Sequence, residues 1–217
     1  MKNLLCILVM IQASTALAIK SPENAVVSDW MALGSGCRGK DPDVGDLRMK
    51  VFQDPKDPMR LEVKFDMGSY TLSGEKPLNP EHQSFARECS LRFALAPQGS
   101  FRVRTVEAQT SFLVDKDKGV KAEIHSRLVT PKGTLADWEK VFASGKGFKN
   151  ERVSMALSAN EEGKRILKEA ACGEPKILGA DFTFENDRKS FKEKVELKHD
   201  KANTVGFVVY LEPCSKS

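Results

Sequence analysis

Residues 120–128, VKAEIHSRL, decide the fold because apolar and polar side chains alternate along them. Val120, Ala122 and Ile124 share one face of an extended chain, since successive side chains of a strand point to opposite sides of a sheet. This stretch therefore predicts a strand with one buried and one solvated face. The same period of two recurs in residues 47–52, 60–65, 89–95, 101–114, 153–157, 177–184, 191–197 and 205–211.

Short segments rich in Asp, Asn, Gly and Pro separate these strands, as expected for tight turns. They include residues 54–58 (DPKDP), 97–99 (PQG), 115–119 (DKDKG) and 131–133 (PKG). Many short strands at this spacing are typical of a sandwich or barrel. We predict an all-β fold, an antiparallel and jelly-roll-like β-sandwich of roughly eight to ten strands with one or two short helices.

The segment 101–114 carries an irregularity. Its apolar residues fall first at odd positions and then at even ones, so a bulge or sharp bend is predicted near Thr105. If the turn at 115–119 closes a hairpin, Glu107 lies near Arg127 and opposite charges pair across the two strands.

Two segments carry helical signals. Thr134 opens a sequence like a capping box, and Leu135, Trp138 and Phe142 would share one helical face, which predicts a helix over 134–142. Residues 160–171 predict a second helix, which Gly163 weakens.

The first 18 residues have the three parts of a secretory signal. Lys2 supplies the positive charge, residues 4–11 the apolar core, and Ala16-Leu17-Ala18 the cleavage site. The apolar run is much shorter than the roughly 20 residues that span a bilayer, and no later segment comes close. We expect cleavage before Ile19, secretion to the periplasm or the exterior, and a single domain over 19–217.

Export to an oxidising compartment favours disulfide bonds between the cysteines. Four remain after cleavage, an even set that favours two disulfides in an oxidising compartment: Cys37, Cys89, Cys172 and Cys214. Their wide spacing is unlike that of a zinc site. Three pairings are open; nearness in sequence favours Cys37 with Cys89 and Cys172 with Cys214.

The charge balance gives no sign of a nucleic-acid-binding surface. The 217 residues carry 34 Lys and Arg against 30 Asp and Glu, and the two signs are interspersed. We expect a monomer whose partner is a component of the cell envelope or the extracellular space.

Catalytic motifs are not visible in the sequence. None of the three histidines, His82, His125 and His199, lies in a catalytic context, and the surface is their expected place. Carboxylates for glycoside cleavage meet only in the fold, so Glu107, Glu123, Asp137 and Glu139 are undifferentiated candidates. We predict no metal and no cofactor, and a non-enzymatic role is favoured.

Arg102, Arg104 and Trp138 are the candidate binding residues. The two arginines would form an anion-binding face together with Lys140, Lys146 and Lys149. The favoured function is a non-catalytic binding or structural module. The alternatives are a secreted polysaccharide hydrolase with a carboxylate pair and a salt-sensitive binder of acidic polymers.

Motifs around the cysteines resemble a family of small secreted proteins of fungi and bacteria catalogued as a domain of unknown function. The matching motifs are, in order, Gly34-Ser35-Gly36-Cys37, Arg87-Glu88-Cys89-Ser90-Leu91, Pro97-Gln98-Gly99 before Phe101-Arg102-Val103, Cys172-Gly173, and Phe207-Val208-Val209-Tyr210 closing on Cys214. The resemblance implies one secreted, cysteine-stapled, β-sandwich-like domain with no established activity. This chain departs from the family in being rich in Lys and Glu.

Overall fold

The structure, a computed structural model, describes residues 24–34, 37, 48–66, 71–73, 84–188, 193–199 and 204–214. The predicted leader over 1–18 lies outside these residues. The elements are β1 (Ala25–Leu33), β2 (Arg48–Gln53), β3 (Arg60–Asp66), β4 (Thr71–Ser73), β5 (Ser84–Pro97), β6 (Phe101–Lys116), β7 (Lys121–Thr130), β8 (Gly133–Phe142), β9 (Phe148–Ser158), α1 (Glu161–Lys168), β10 (Lys176–Asp187), β11 (Val195–His199) and β12 (Thr204–Pro213). The all-β prediction is confirmed, with more strands than the eight to ten expected.

The strands form two antiparallel sheets. The five-stranded sheet has the order β1-β5-β10-β7-β8. In the seven-stranded sheet β2, β3, β12 and β6 are successive neighbours, β11 lies between β6 and β4, and β9 also pairs with β6. Strands β11 and β12 follow one another along the same edge of β6, because β9 occupies the other edge.

The core lies between the sheets and is rich in phenylalanine. Phe93 of the five-stranded sheet packs against Phe65 and Phe207 of the seven-stranded sheet, with ring centroids 6.0 and 5.1 Å apart. Farther along, Phe112 on β6 meets Phe182 on β10 at 6.2 Å. All five rings are buried, so burial of apolar area together with tilted and edge-on ring contacts holds the two sheets face to face.

The irregularity in β6 is a bulge, as predicted. Thr105 is opposite Tyr210 on β12, but Val103 is opposite Leu211, so Arg104 is the extra residue. The extra residue moves the apolar positions from odd to even numbers while keeping them on the core side.

The turn at 115–119 does not close a hairpin, so the condition for pairing Glu107 with Arg127 is not met. This segment passes from β6 in the seven-stranded sheet to β7 in the five-stranded sheet. Because β9 and β11 occupy both edges of the C-terminal half of β6, β7 has no edge of β6 to join. Glu107 therefore does not pair with Arg127, which lies between Asp181 on β10 and Asp137 on β8.

One predicted helix is wrong and the other is confirmed. Residues 134–142 form most of β8, where a second bulge at Leu135 places Leu135 and the next residue, Ala136, both in the core. Two adjacent buried residues break the strand period, which explains the helical signal. Helix α1 is real, and Asn160 caps it by accepting a hydrogen bond from the backbone N–H of Gly163 at 2.8 Å.

Both disulfides form with the favoured pairing. Cys37–Cys89 ties the end of β1 to the adjacent strand β5. Cys172–Cys214 ties the segment before β10 in one sheet to the end of β12 in the other. Within the described ranges, no helix is long and apolar enough to cross a membrane.

Candidate functional site

The solvent side of the five-stranded sheet, called the outer face below, collects the polar positions of β5, β10, β7 and β8. Strand register aligns Glu88, Thr183, His125 and Glu139 in one row across these four strands. The residues before and after them, such as Cys89, Phe182 and Ile124, are buried on the opposite side. The polar positions of the alternating segment 120–128 thus form part of this outer face.

An open groove of about 370 Å³ crosses the outer face. It is lined by five carboxylates, one guanidinium, one imidazole and three uncharged residues: Glu88, Asp137, Glu139, Asp181, Glu185, Arg127, His125, Ser126, Thr183 and Trp138. Negative charge dominates the groove, so it repels anionic ligands and attracts cations.

Hydrogen bonds hold the Asp181 carboxylate in place within the groove. Its carboxylate accepts hydrogen bonds from the Ser90 hydroxyl at 2.7 Å and from Arg92 Nη2 at 2.6 Å. Arg92 also donates to the backbone carbonyl of Leu91 at 2.8 Å. Gly179 makes this arrangement fit, because a Cβ there would lie 2.1 Å from the Leu91 carbonyl oxygen and 2.5 Å from the Arg92 side chain.

Three other groove carboxylates have no partner among the described residues. The side chains of Glu88, Asp137 and Glu185 form no hydrogen bond or ion pair with any residue in the described part of the chain. Exposed carboxylate oxygens of this kind are available to donors from a ligand.

At the β8 side of the groove, Glu123, His125 and Glu139 converge. His125 Nε2 lies 3.2 Å from Glu123 Oε2, and His125 Nδ1 lies 3.9 Å from Glu139 Oε2. Lys121 holds the other oxygen of Glu123, and its hydrogen bond keeps the pKa of that carboxyl below its usual value. The three side chains offer ligand atoms within 4.8 Å of one another, a spacing that suits a metal ion.

Sequence reasoning missed this cluster for one specific reason. The alternation in β7 places Glu123 and His125 on the polar side of one strand, but the sequence predicts a helix where β8 lies. As a strand, β8 places Glu139 directly opposite His125. The only signal for a strand there is short: the polar Asp137 and Glu139 flank Trp138, and Lys140 and Val141 then interrupt the alternation.

The predicted binding residues lie apart from one another. Arg102 pairs with Glu212 at 2.7 Å, and the Arg104 guanidinium lies 5.6 Å from the Tyr210 ring centre. Both are at the start of β6, whereas Lys146 and Lys149 lie near its far end, beyond about 40 Å of extended strand. Lys140 also lies toward that far end, over Phe142, so the five cations do not form one face.

Trp138 lines the groove and is half-buried against the core. Of the other sequence candidates, Glu107 lies on β6 in the opposite sheet. His82 and the side chain of His199 are outside the described residues.

Comparisons with known proteins give no family. No protein-family model matches the chain, and no curated protein matches it. Among solved structures, the chain is similar to TmCBM61 in complex with β-1,4-galactotriose, at 13% identity and a TM-score of 0.27, over 86% of this chain and 89% of that one. It also matches the enzymatically active domain of bacteriophage CBA120 tailspike protein 4, at 13% identity and a TM-score of 0.24, over 86% of this chain and 19% of that one.

Proposed function

We propose that this protein is an exported, disulfide-stabilised binding module without catalytic activity, and that its outer face binds a neutral, hydroxyl-rich polymer of the cell envelope or extracellular space. The observation that carries the proposal is the open groove across four strands. Three of its carboxylates, Glu88, Asp137 and Glu185, have no partner among the described residues.

The chemistry of the groove suits hydroxyl groups. Carboxylates accept hydrogen bonds from hydroxyls, while Arg127 donates to hydroxyl oxygens, so neighbouring groups of one sugar can be bound from both sides. The groove is open and follows a row of strands, which fits a section of a chain better than an enclosed small molecule.

The same charges argue against binding of acidic polymers here. A groove with five carboxylates and one guanidinium raises the energy of a bound polyanion. Arg102 and Arg104 remain a prediction for such a partner; they lie on β6 in the other sheet, and Arg102 is already paired to Glu212.

The test is co-sedimentation of the oxidised protein with insoluble neutral polysaccharides and with cell-envelope material, over a series of salt concentrations. We expect binding that persists at high salt and that falls about tenfold or more in Glu88→Ala and Glu185→Ala, since each removes a charged hydrogen-bond acceptor. Glu151→Ala is the matched control, because Glu151 is an exposed carboxylate on β9 in the other sheet.

Two results would contradict the proposal. One is the absence of binding to every polymer at every salt concentration. The other is equal loss of binding in Glu151→Ala and Glu88→Ala, which would place the contact outside the groove.

A hydrolase is the second candidate, favoured by the same unpartnered carboxylates. Glycoside cleavage needs an acid and a base or nucleophile about 5 to 10 Å apart, and the groove brings several carboxylates to one surface. Release of reducing ends from a sedimenting polysaccharide, abolished in Glu88→Gln or Glu185→Gln, would replace the binding-module assignment.

A further inference from the structure

The cluster of Glu123, His125 and Glu139 is built by strand register. Glu123 and His125 are two residues apart on β7 and so project from the same face, and Glu139 is the direct partner of His125 on β8. Three potential ligands are thus held by the backbone of two adjacent, hydrogen-bonded strands. Such a site is rigid in its Cα positions and needs only side-chain rotations to close.

The distances are close to those of a metal site. In a zinc site with ligands at about 2.0 to 2.2 Å, neighbouring ligand atoms are about 3.4 Å apart. The ligand atoms here lie within 4.8 Å of one another, and His125 Nε2 is already 3.2 Å from Glu123 Oε2. The Glu139 side chain is about half exposed and free to rotate inward.

Neighbouring charges orient the cluster. Lys121 binds Glu123 Oε1, which leaves Oε2 directed at His125. Glu185 is the register partner of Glu123 on β10, and Arg127 follows His125 on the same face of β7. A bound dication would offset the repulsion among the carboxylates of Glu123, Glu139 and Glu185.

We propose that Glu123, His125 and Glu139 bind a divalent first-row transition metal ion, for which Zn²⁺ is the probe. One imidazole and two carboxylates match the borderline character of such ions, whereas Ca²⁺ prefers six to eight oxygen ligands. Three protein ligands leave at least one coordination position open toward the groove, because His125 and Glu139 also line it. This site does not depend on the polymer proposed above.

The test is isothermal titration of the untagged, oxidised protein with Zn²⁺ in the absence of any polymer. We expect one ion per chain, and a loss of affinity of about tenfold or more in both His125→Gln and Glu139→Gln. Glu139 lies on an edge strand with its side chain half exposed, so we expect Glu139→Gln to fold like the parent protein. Ca²⁺ at a hundredfold excess is expected to leave Zn²⁺ bound.

Glu151→Gln is the control, since it removes an exposed carboxylate in the other sheet and should leave the titration unchanged. Substitution by Co²⁺ adds a spectroscopic readout: a visible absorption spectrum typical of imidazole and carboxylate ligands, lost in His125→Gln. Failure of Zn²⁺ to bind, or binding that is equal in His125→Gln and the parent protein, would overturn the proposal. Displacement of Zn²⁺ by Ca²⁺ would overturn the choice of metal class.

Discussion

Lys116 is a single residue whose side chain joins two loops. It ends β6 with its side chain almost wholly buried, and its ammonium group donates to the backbone carbonyls of Val120 at 2.7 Å and Lys146 at 2.6 Å. Burial lowers the pKa of this group, while the charges of Asp117 and Glu193 act in the opposite direction. The ammonium therefore fixes the crossing between the sheets to the loop that follows β8.

Lys116→Met should destabilise the protein by about 2 to 3 kcal/mol, because it leaves the buried carbonyl of Val120 and the partly buried carbonyl of Lys146 without this donor. The measurement is urea unfolding at neutral pH, with Lys118→Met as the control, since Lys118 is exposed two residues away. Equal free energies of unfolding for the two variants would show that these hydrogen bonds do not stabilise the fold.

Helix α1 depends on a close approach between elements. Gly163 lies against β8, and a Cβ at this position would be 2.4 Å from the carbonyl oxygen of Leu135. Leu135 is the bulged residue of β8, and Asn160 donates its backbone N–H to the same carbonyl at 2.9 Å. The glycine that weakens the helical signal in the sequence is therefore required by packing.

Gly163→Ala should destabilise the fold by about 1 to 3 kcal/mol, since the added methyl group displaces the backbone of β8. In an isolated helix the same change would stabilise by about 1 kcal/mol, so the sign alone tests the packing. Thermal unfolding is the measurement, and Lys168→Ala, an exposed position on α1, is the control. A raised melting temperature in Gly163→Ala would contradict the close approach.

At the scale of elements, the sequence predicts the period of each strand. It predicts a bulge in that period only where enough apolar residues lie on both sides of the bulge. The bulge at Arg104 was predictable, since apolar residues change from odd to even positions on both sides of it. The bulge at Leu135 lies near the start of its strand, so too few residues precede it to establish a period, and a helix was predicted instead. Because a helix over 134–142 does not pair with β7, the sequence analysis did not place Glu139 beside His125 and missed the cluster.

At the scale of the whole molecule, the two disulfides differ in which parts of the fold they connect. Cys37–Cys89 joins neighbouring strands of one sheet, whereas Cys172–Cys214 connects the two sheets. They close loops of 52 and 42 residues, so each should stabilise the fold by about 2 to 4 kcal/mol in the chain-entropy model.

The paired variants Cys37→Ala/Cys89→Ala and Cys172→Ala/Cys214→Ala should each lower the free energy of unfolding by that amount of about 2 to 4 kcal/mol, measured in urea. Treating the parent protein with a reductant should reproduce the sum. A paired variant as stable as the parent protein would show that the corresponding bridge is dispensable.

The pairing of the strands could be inferred from the sequence only in part. Polar and apolar alternation predicts which side of each strand is buried, and so predicted the polar side of β7. Which strands become neighbours depends on contacts between distant residues, such as Thr183 with His125, and a local pattern carries no such information. For that reason the outer-face groove could not be predicted, although half of its ten residues lie on segments that the sequence correctly predicts as strands.

The central place of β12 in the seven-stranded sheet has a kinetic consequence. Among the strands of the described chain β12 comes last, yet it lies between β3 and β6 and pairs with both. Before β12 pairs, β3 and β6 each have an edge without its partner strand. The sheet therefore cannot be completed while residues 204–213 are still being synthesised or translocated. Because most other pairings also join distant strands, we expect slow folding, on the order of milliseconds to seconds, whose last step in this sheet is the pairing of β12.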